Sequence, residues 1–375
     1  MKNKLLFLLL FILFNTTCFT QFLQIPKINF SPQMYVCYYI DTPLKIDGKL
    51  NEPAWEKSKW TEDFVDIEGS SKQTPRFRTR VKMLWDSTYF YVGAELQEPD
   101  LWATLTQRDT IIYHNNDFEV FIDPDGDTHL YSELEMNALN TVWDLLLIKP
   151  YRDTHKAPII GWDIYGLKTA VTINGTLNKP GDKDKGWTVE IAFPWKAFNE
   201  ISRTAVPPSD KDQWRINFSR VEWRTDVEHG VYKKLINPET SKPYPEDNWV
   251  WSPQGVVNMH YPEMWGYVQF SASKAGSRTV PFVKRNEEVA KWYLRQIYYM
   301  ERNYYDTAKT FTTDLKKLGL NSENITGFKM PPDIECTSDY FETRLHSNDN
   351  TETLFIRNDG RVWVRYIQYK KIKSH

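Results

Sequence analysis

Three acidic residues stand at alternate positions just after a pattern of apolar residues that is typical of a β-strand. In the segment 115–127, NNDFEVFIDPDGD, every second residue from Phe118 to Ile122 is apolar. A proline and a glycine then predict a turn that gathers the carboxylates of Asp123, Asp125 and Asp127. Hard oxygen ligands at this spacing suit calcium, so we predict a structural calcium site here. An ordinary solvated acidic turn is the alternative.

A fourth acid, Glu119, lies within the strand itself, between Phe118 and Val120. A carboxylate in that position needs a partner, a ligand or water. Two interpretations follow. Either Glu119 belongs to a binding site, or it forms an ion pair with Arg108 or Arg220.

The composition excludes some classes of function and favours another. The chain has 375 residues and a formal net charge of -2, so no bulk attraction to nucleic acid is expected. It contains 15 Trp, 21 Tyr and 20 Phe, more rings than packing alone normally uses. Flat aromatic rings suit the faces of sugars, which present C–H groups to a π system.

Residues 1–20 have the pattern of a signal peptide. Lys2 and Lys4 precede the apolar run Leu5–Phe14, which is too short to span a bilayer, and cleavage is expected before Gln21. We therefore predict an exported protein (periplasmic, cell-surface or secreted) with no transmembrane helix after processing. A retained anchor, or a lipid on Cys18, is the alternative.

After cleavage two cysteines remain, Cys37 and Cys336. Export permits a disulfide between them, but two cysteines do not make a disulfide scaffold.

Strand signals separated by turn signals run from residue 34 to residue 271 and predict a β-sandwich. Residues 279–370 contain a helical stripe over Glu287–Leu318, stopped by Gly319, and then short strand patterns. The predicted fold is thus mainly β: an antiparallel sandwich on which a C-terminal long helix and a small β-sheet pack. Between the last sandwich strands, Trp223–Tyr261 is a long segment without strand periodicity, and its many aromatic residues indicate a functional loop.

Several of these segments together resemble family 9 carbohydrate-binding modules over about Tyr35–Phe270. They are the start Ile46-Asp47-Gly48, the hairpin Val81–Trp85/Tyr89–Val92, the strand Glu119–Asp123 and the segment Trp265-Gly266-Tyr267-Val268. With its helical tail, the chain looks like family 9-like proteins that polysaccharide-degrading bacteria export. The resemblance implies a β-sandwich that often binds calcium and whose two tryptophans clamp a sugar.

The resemblance also implies a set of carbohydrate-binding residues. Glu119 matches a sugar-binding glutamate of the family, and Asn137 matches an asparagine. Tyr113 falls at the first clamp position, as Tyr rather than Trp. Glu135 stands where the family has an arginine, a reversal of charge. The second clamp falls near His260, and Trp251 or Trp249 of the same loop is the candidate replacement.

From these residues we predict non-catalytic binding of a saccharide or polysaccharide, with other glycan-degrading proteins as candidate partners. A glycoside-active enzyme is one alternative, because Glu119 and Glu135 could lie on neighbouring strands as a pair of carboxylates. A structural module of the cell envelope is another. A haem site, drawing on His114, His129, His260 or Met136, is the least favoured.

Overall fold

The computed structural model describes residues 23–154, 156–321 and 324–367. The predicted signal peptide 1–20, with Cys18, lies outside the described residues. So do residues 368–370 of the predicted tail.

Strands are the main regular elements in the described part of the first half of the chain, which also contains one short α-helix, α1 (Pro53–Lys57), and short 3-10 turns. The strands are β1 (Met34–Tyr39), β2 (Val65–Asp66), β3 (Thr79–Trp85), β4 (Tyr89–Gln97), β5 (Asp117–Asp123), β6 (Tyr131–Asn137), β7 (Val142–Leu147), β8 (Pro158–Ile159), β9 (Lys168–Asn174), β10 (Gly186–Pro194) and β11 (Gln213–Glu222).

The second half adds the rest of the sandwich and the tail. Its strands are β12 (Thr225–Glu228), β13 (Val231–Lys234), β14 (Ile236–Asn237), β15 (Lys242–Pro243), β16 (Asp247–Val250) and β17 (Gly266–Lys274), followed by helix α2 (Asn286–Ala308) and by β18 (Asp333–Cys336), β19 (Phe341–His346), β20 (Glu352–Arg357) and β21 (Val362–Tyr366).

One continuous sheet forms both layers of the sandwich, in the order β8-β7-β6-β5-β11-β17-β1-β3-β4-β10-β9, and β16 and β2 extend it beside β11. The inward residues of both halves meet in one apolar core, which includes Val92, Phe118, Ile191 and Phe270. Pairing is antiparallel except at β1, which runs parallel to β17 and β3 and joins the two layers. The predicted fold class is therefore confirmed.

Two predicted elements differ from the structure. The segment Trp223–Tyr261 is not structureless: it contains two small hairpins and the strand β16, which pairs with β11. Helix α2 ends at Ala308 rather than at Leu318, because Lys309 adopts a left-handed conformation (φ 54°) that closes the helix.

The tail packs against one end of the sandwich. Helix α2 and the four-stranded sheet β18-β19-β20-β21 share a second apolar cluster with Tyr261 and Met264 of the sandwich. The tail is thus in direct contact with the segment that precedes β17.

The two cysteines in the described part of the chain are free. Cys37 is buried in the sandwich core, and Cys336 lies on β18 in the tail. None of the helices in the described ranges is both long and apolar enough for a membrane span.

Candidate functional site

The most unusual group of side chains is four carboxyls on the outer face of β5 and β6. Asp117 and Glu119 come from β5, and Glu133 and Glu135 from β6; we call these four residues the strand cluster. Because side chains alternate along a strand, Phe118 and Val120 point into the core while their acidic neighbours point outward. Glu119 and Glu135 stand directly opposite each other in the antiparallel register, and at most 6% of any of the four residues is exposed.

No base neutralises this cluster. Among the described residues, no lysine, arginine or histidine nitrogen lies within 4.0 Å of its carboxyl oxygens. Arg220 instead contacts Glu98 at 2.8 Å and Glu222 at 2.9 Å. Arg108 is paired with Asp144 and Asp163. The alternative that Glu119 pairs with Arg108 or Arg220 is therefore wrong.

Burial and mutual repulsion both favour protonation of the strand cluster. The pKa of Glu119 is raised to about 7. Burial is the largest cause, the nearby Ser219 hydroxyl acts in the opposite direction, and the charge of Glu246 adds a smaller increase. For Glu133 and Glu135, burial raises the pKa well above its usual range, and the charge of Glu119 adds to the effect. Burial, then Glu119, does the same to the pKa of Asp117. The site therefore stabilises either protons or another positive partner.

Few hydrogen bonds reach these carboxyls. The Tyr113 backbone N–H donates to Glu135 Oε2 at 3.0 Å, and the Val221 N–H donates to Asp117 Oδ1 at 3.1 Å. Asp117 Oδ2 is buried without a hydrogen-bond partner. Ser219, opposite Glu119 on β11, is also fully buried; its hydroxyl lies beside that carboxyl but without hydrogen-bond geometry. Two polar atoms at the base of the site, Asp117 Oδ2 and the Ser219 hydroxyl, are therefore without a hydrogen-bond partner among the described residues.

Two tyrosines border the strand cluster and remain accessible. Tyr113 is 37% exposed and Tyr151 is 38% exposed. The charges of Glu133 and Glu135 raise the pKa of both phenols, after the larger effect of burial, and that of Tyr151 reaches about 12. Tyr113 is joined to the strand cluster by its backbone N–H, which donates to Glu135, and the Tyr151 phenol is within range of the charges of Glu133 and Glu135. We call these two residues the rim.

The Trp223 loop supports Tyr113. The Trp223 indole N–H donates to the Tyr113 carbonyl at 2.8 Å. The Lys234 ammonium lies 3.1 Å from the centre of the Trp223 ring, and partial burial lowers the pKa of that lysine to about 8. One ring face of Trp223 is therefore already covered.

The tail holds Tyr151 in place. Tyr151 begins a short 3-10 turn that ends at Asp153, and the Tyr298 hydroxyl of helix α2 donates to Asp153 at 2.5 Å. Arg302 of the same helix also pairs with Asp153. On the other side, the ring of His260 packs edge-on to Tyr151 with centroids 4.5 Å apart. Helix α2 therefore fixes the backbone that carries one of the two rim rings.

The sequence-predicted residues divide into two groups. Tyr113, Glu119 and Glu135 are together at the site, and His260 lies beneath Tyr151. Its Nδ1 is 3.0 Å from the Tyr131 hydroxyl, and burial, then Arg152, lowers its pKa to about 3, so its imidazole is neutral.

Asn137, Trp251 and Trp249 offer no free group to the site, although Asn137 stands directly opposite Asp117 in the strand register. Asn137 is fully buried and uses its amide on backbone groups, including a donation to the Leu105 carbonyl at 2.8 Å. Trp251 is only 2% exposed and packs closely against Gly266, where no side chain would fit. Trp249 is 3% exposed and packs on Phe77. Both tryptophans serve the core, so neither is placed as a clamp.

The predicted calcium ligands Asp123, Asp125 and Asp127 also come together, and we call them the turn cluster. One oxygen from each lies within 4.8 Å of the others. Backbone groups already occupy many of these oxygens: Asp123 accepts from the N–H groups of Gly126 and Thr128, each at 2.9 Å.

Cationic side chains also reach the turn cluster. Arg361 of the tail donates to Asp127 Oδ2 at 2.8 Å, and Arg203 lies 3.5 Å from the same oxygen. Burial, then Asp127, raises the pKa of Asp125 to about 7. The oxygen type fits calcium, whereas the guanidinium on Asp127 opposes a cation there. Calcium at this turn stays a prediction.

The residues considered for haem lie on different faces of the sheet. Met136 is buried in the sandwich core, whereas His260 packs on Phe121 on the outer face. His129 lies 3.5 Å from Asp359 of the tail, and His114 follows Tyr113.

Sequence reasoning did not select four residues of the site: Asp117, Glu133, Tyr151 and Ser219. A signal for the first two is present, since the alternation that exposes Glu119 and Glu135 places their second neighbours on the same face. Tyr151 and Ser219 join the site only through packing and strand order.

Comparisons with known proteins place this site in a family context. A model of the family described as "Carbohydrate family 9 binding domain-like" matches residues 46–207, which include Tyr113, Glu119, Glu135 and Asn137. The resemblance to family 9 is thereby confirmed over that segment. A search of curated proteins finds no match.

Solved structures with a similar chain path include two family 9 carbohydrate-binding module structures from Caldicellulosiruptor kristjanssonii. The cellotriose complex is 16% identical, covers 67% of this chain and 100% of its own, and has a TM-score of 0.41. The glucose complex is 16% identical, covers 66% and 100%, and has a TM-score of 0.41. A Bacteroides uniformis protein proposed to bind carbohydrate is 13% identical, covers 64% and 100%, and has a TM-score of 0.47.

Proposed function

We propose that this protein is an exported, non-catalytic module that binds a saccharide at the strand cluster and its rim. The family model over residues 46–207 supports the class of ligand. The observation that carries the proposal is the pair of half-exposed rings, Tyr113 and Tyr151, beside carboxyls that no base in the described ranges pairs with. The buried acids are the more informative part of this observation, because acidic side chains are almost never fully buried unless they are paired.

The chemistry of a sugar matches each part of this arrangement. A pyranose presents C–H groups that stack on the rim, and hydroxyls that donate hydrogen bonds to Glu119, Glu133 and Glu135. Hydrogen bonds to ionised acceptors are stronger than those between neutral groups. Because the pKa of Glu119 is about 7, part of the site is protonated near neutral pH and can also donate. The rim rings thus supply stacking, the ionised carboxyls accept hydrogen bonds from the sugar, and a protonated carboxyl donates one.

Export follows in this proposal from the signal-peptide pattern of residues 1–20. A binding module outside the cell holds a polysaccharide or its fragments for other proteins. Glycan-degrading proteins are therefore the partners we expect. The tail has a supporting role in this account, because it positions Tyr151.

The decisive experiment is retention on a panel of immobilised polysaccharides and a glycan array, using the protein without residues 1–20. We expect Glu119→Ala to abolish retention, because it removes the acid that faces both β6 and β11. Asp125→Ala in the turn cluster is the matched control and should keep wild-type retention. Far-ultraviolet circular dichroism checks that both variants fold. Equal retention of Glu119→Ala and wild type would refute the proposed site.

An enzyme that cleaves glycosides is the second candidate, and one observation favours keeping it. Glu119 and Glu135 face each other on adjacent strands, and burial raises the pKa of both. Glycoside hydrolysis uses such a pair, with one carboxyl protonated, at roughly 5–9 Å. We expect no reducing sugar to be released from the polysaccharides that are retained. Release that Glu135→Gln abolishes would establish the enzyme instead.

A further inference from the structure

The structure assigns a second role to the strand cluster: we propose that Asp117, Glu119 and Glu135, with Ser219 and Glu133 beside them, form a calcium site. This goes beyond the proposed saccharide binding, and it stands or falls without any sugar. It also differs from the predicted calcium at the turn cluster, which lies farther along β5.

The first argument is geometric. One carboxyl oxygen from each of Asp117, Glu119 and Glu135 lies within 4.8 Å of the other two. Calcium binds oxygen at about 2.3–2.6 Å, so two oxygens on one ion are at most about 5 Å apart. A single ion placed among these three carboxyls can therefore contact all of them without a change in the backbone.

The second argument is the unused polar atoms in the same place. Ser219 is fully buried opposite Glu119, and its hydroxyl oxygen has no hydrogen-bond partner in the described part of the chain. Asp117 Oδ2 is equally without a partner. Most buried polar atoms in proteins have a partner, so each exception requires an explanation. A cation bound by the oxygens of both residues would satisfy them.

The third argument is charge. Four acids lie on one face of two strands, and in the described part of the chain no base is within ion-pairing distance of them. Like charges directly opposite on antiparallel strands destabilise a sheet. Protonation removes part of this repulsion, and a divalent cation removes it more completely at neutral pH.

The choice of calcium follows from the ligands and their burial. All the donor atoms are oxygens, which favours a hard cation. Magnesium sheds water reluctantly and usually keeps several water ligands. Residues that are at most 6% exposed leave little room for such a shell, whereas calcium accepts a site made largely of protein oxygens.

Isothermal titration calorimetry of the chelator-treated protein with calcium chloride, without sugar, tests the proposal. The wild type should bind calcium with a rise in melting temperature. Glu135→Gln should weaken the binding at the strand cluster at least tenfold, and so should Asp117→Asn. Asp125→Asn, the matched change in the turn cluster, should leave it within twofold.

Two outcomes would refute the calcium site at the strand cluster. If the wild type shows no calcium-dependent heat and no change in melting temperature at millimolar calcium, the proposal is wrong. If Glu135→Gln binds as the wild type does while Asp125→Asn loses binding, the ion is at the turn and the proposal is also wrong. Because Glu135→Gln removes a repelling charge, the calcium-free variant should melt at or above the wild-type temperature, which shows that it folds.

Discussion

Strand β5 contributes acids to two groups that look alike in sequence and differ in structure: the turn cluster, and the strand cluster that it shares with β6. The turn cluster at its end uses its oxygens on backbone N–H groups and on Arg361. The strand cluster has no base within ion-pairing distance in the described part of the chain, few N–H donors and one buried oxygen without a partner, Asp117 Oδ2. The first is a turn held by its own carboxylates, whereas the second retains the capacity to bind something else.

The difference shows that carboxylate spacing alone is a weak guide to a ligand site. A turn offers its own N–H groups to nearby acids, so alternate aspartates commonly satisfy the turn that holds them. In a strand the N–H groups are already used by the sheet, and acids on its face must find partners elsewhere. Unsatisfied acids on a strand are therefore the stronger indication of a ligand.

The largest expected effect is on the pH dependence of stability. The pKa of Glu119 is raised from 4.5 to about 7, so the folded state binds the proton more tightly than the unfolded state. Its contribution is present below about pH 4.5 and is lost as the pH rises through about 7, a change of about 3 kcal/mol. In chelator, wild type should lose free energy of unfolding relative to Glu119→Gln between about pH 5 and about pH 8. Because the Glu119 charge also raises the pKa of Asp117, Glu133 and Glu135, this difference reports the titration of the coupled strand cluster.

Urea unfolding of both proteins at both pH values provides the measurement. The pKa of His260 is lowered to about 3, so its contribution grows as the pH rises to about 6.5. It is present in both proteins and cancels in the difference. Glu288, whose pKa is lowered to about 2, does not change in this range. A difference that does not vary with pH would show that Glu119 is not perturbed as described.

The next effect concerns the rim, which only the strand cluster has. Tyr151→Ala and Tyr113→Ala should each weaken saccharide binding about fivefold, since stacking on one ring is worth about 1 kcal/mol. Tyr165→Ala, which removes a tyrosine that is 74% exposed, is the control and should bind as wild type does. Fluorescence titration with the best-retained oligosaccharide measures the affinities. If both rim variants bind the saccharide as tightly as wild type does, the rings of Tyr113 and Tyr151 do not stack on the sugar.

A smaller effect should reach the site through the tail. Tyr298→Phe removes the hydroxyl that donates to Asp153 and should loosen the turn that begins with Tyr151. We expect about threefold weaker saccharide binding with little loss of stability, because one hydrogen bond contributes about 1 kcal/mol. Tyr304→Phe, on the same helix, is the control. If Tyr298→Phe binds as tightly as wild type, the tail does not position the rim.

Most of the fold could be predicted from the sequence, because alternation and turn residues mark each long strand. The predicted hairpin Val81–Trp85/Tyr89–Val92 lies within β3 and β4, and the predicted strand Glu119–Asp123 lies within β5. Short pieces such as β16 could not be predicted, since four residues show no period and their pairing with β11 is set by the sheet. Helix α2 was predicted ten residues too long, because apolar spacing continues past the left-handed Lys309 that ends it.

The candidate site was only partly predictable, for a physical reason. Tyr113, Glu119 and Glu135 lie on elements that sequence patterns identify. Trp251 was selected because an aromatic residue in a loop is a plausible sugar contact, yet it fills the core over Gly266. Tyr151 could not be selected, because helix α2 and His260, both distant in sequence, bring it to the site.

The smallest effect would make the turn cluster more like the strand cluster. Arg361→Met removes a guanidinium that contacts Asp127. In the presence of a chelator, this change should lower the free energy of unfolding by about 1 kcal/mol or less. Calcium should then raise the melting temperature of this variant more than that of wild type, because Asp127 loses the nearer of its two guanidinium partners and keeps only Arg203 at 3.5 Å. Differential scanning fluorimetry with and without calcium measures both. An identical calcium response would mean that Arg361 does not limit cation binding at the turn.

Anomalous diffraction from a crystal grown with calcium compares the two clusters in a single experiment. The account predicts a calcium peak bound by oxygens of Asp117, Glu119 and Glu135, below the rings of Tyr113 and Tyr151. A peak at Asp123, Asp125 and Asp127 alone, with the carboxyls of the strand cluster in contact with one another and no ion between them, would contradict the account.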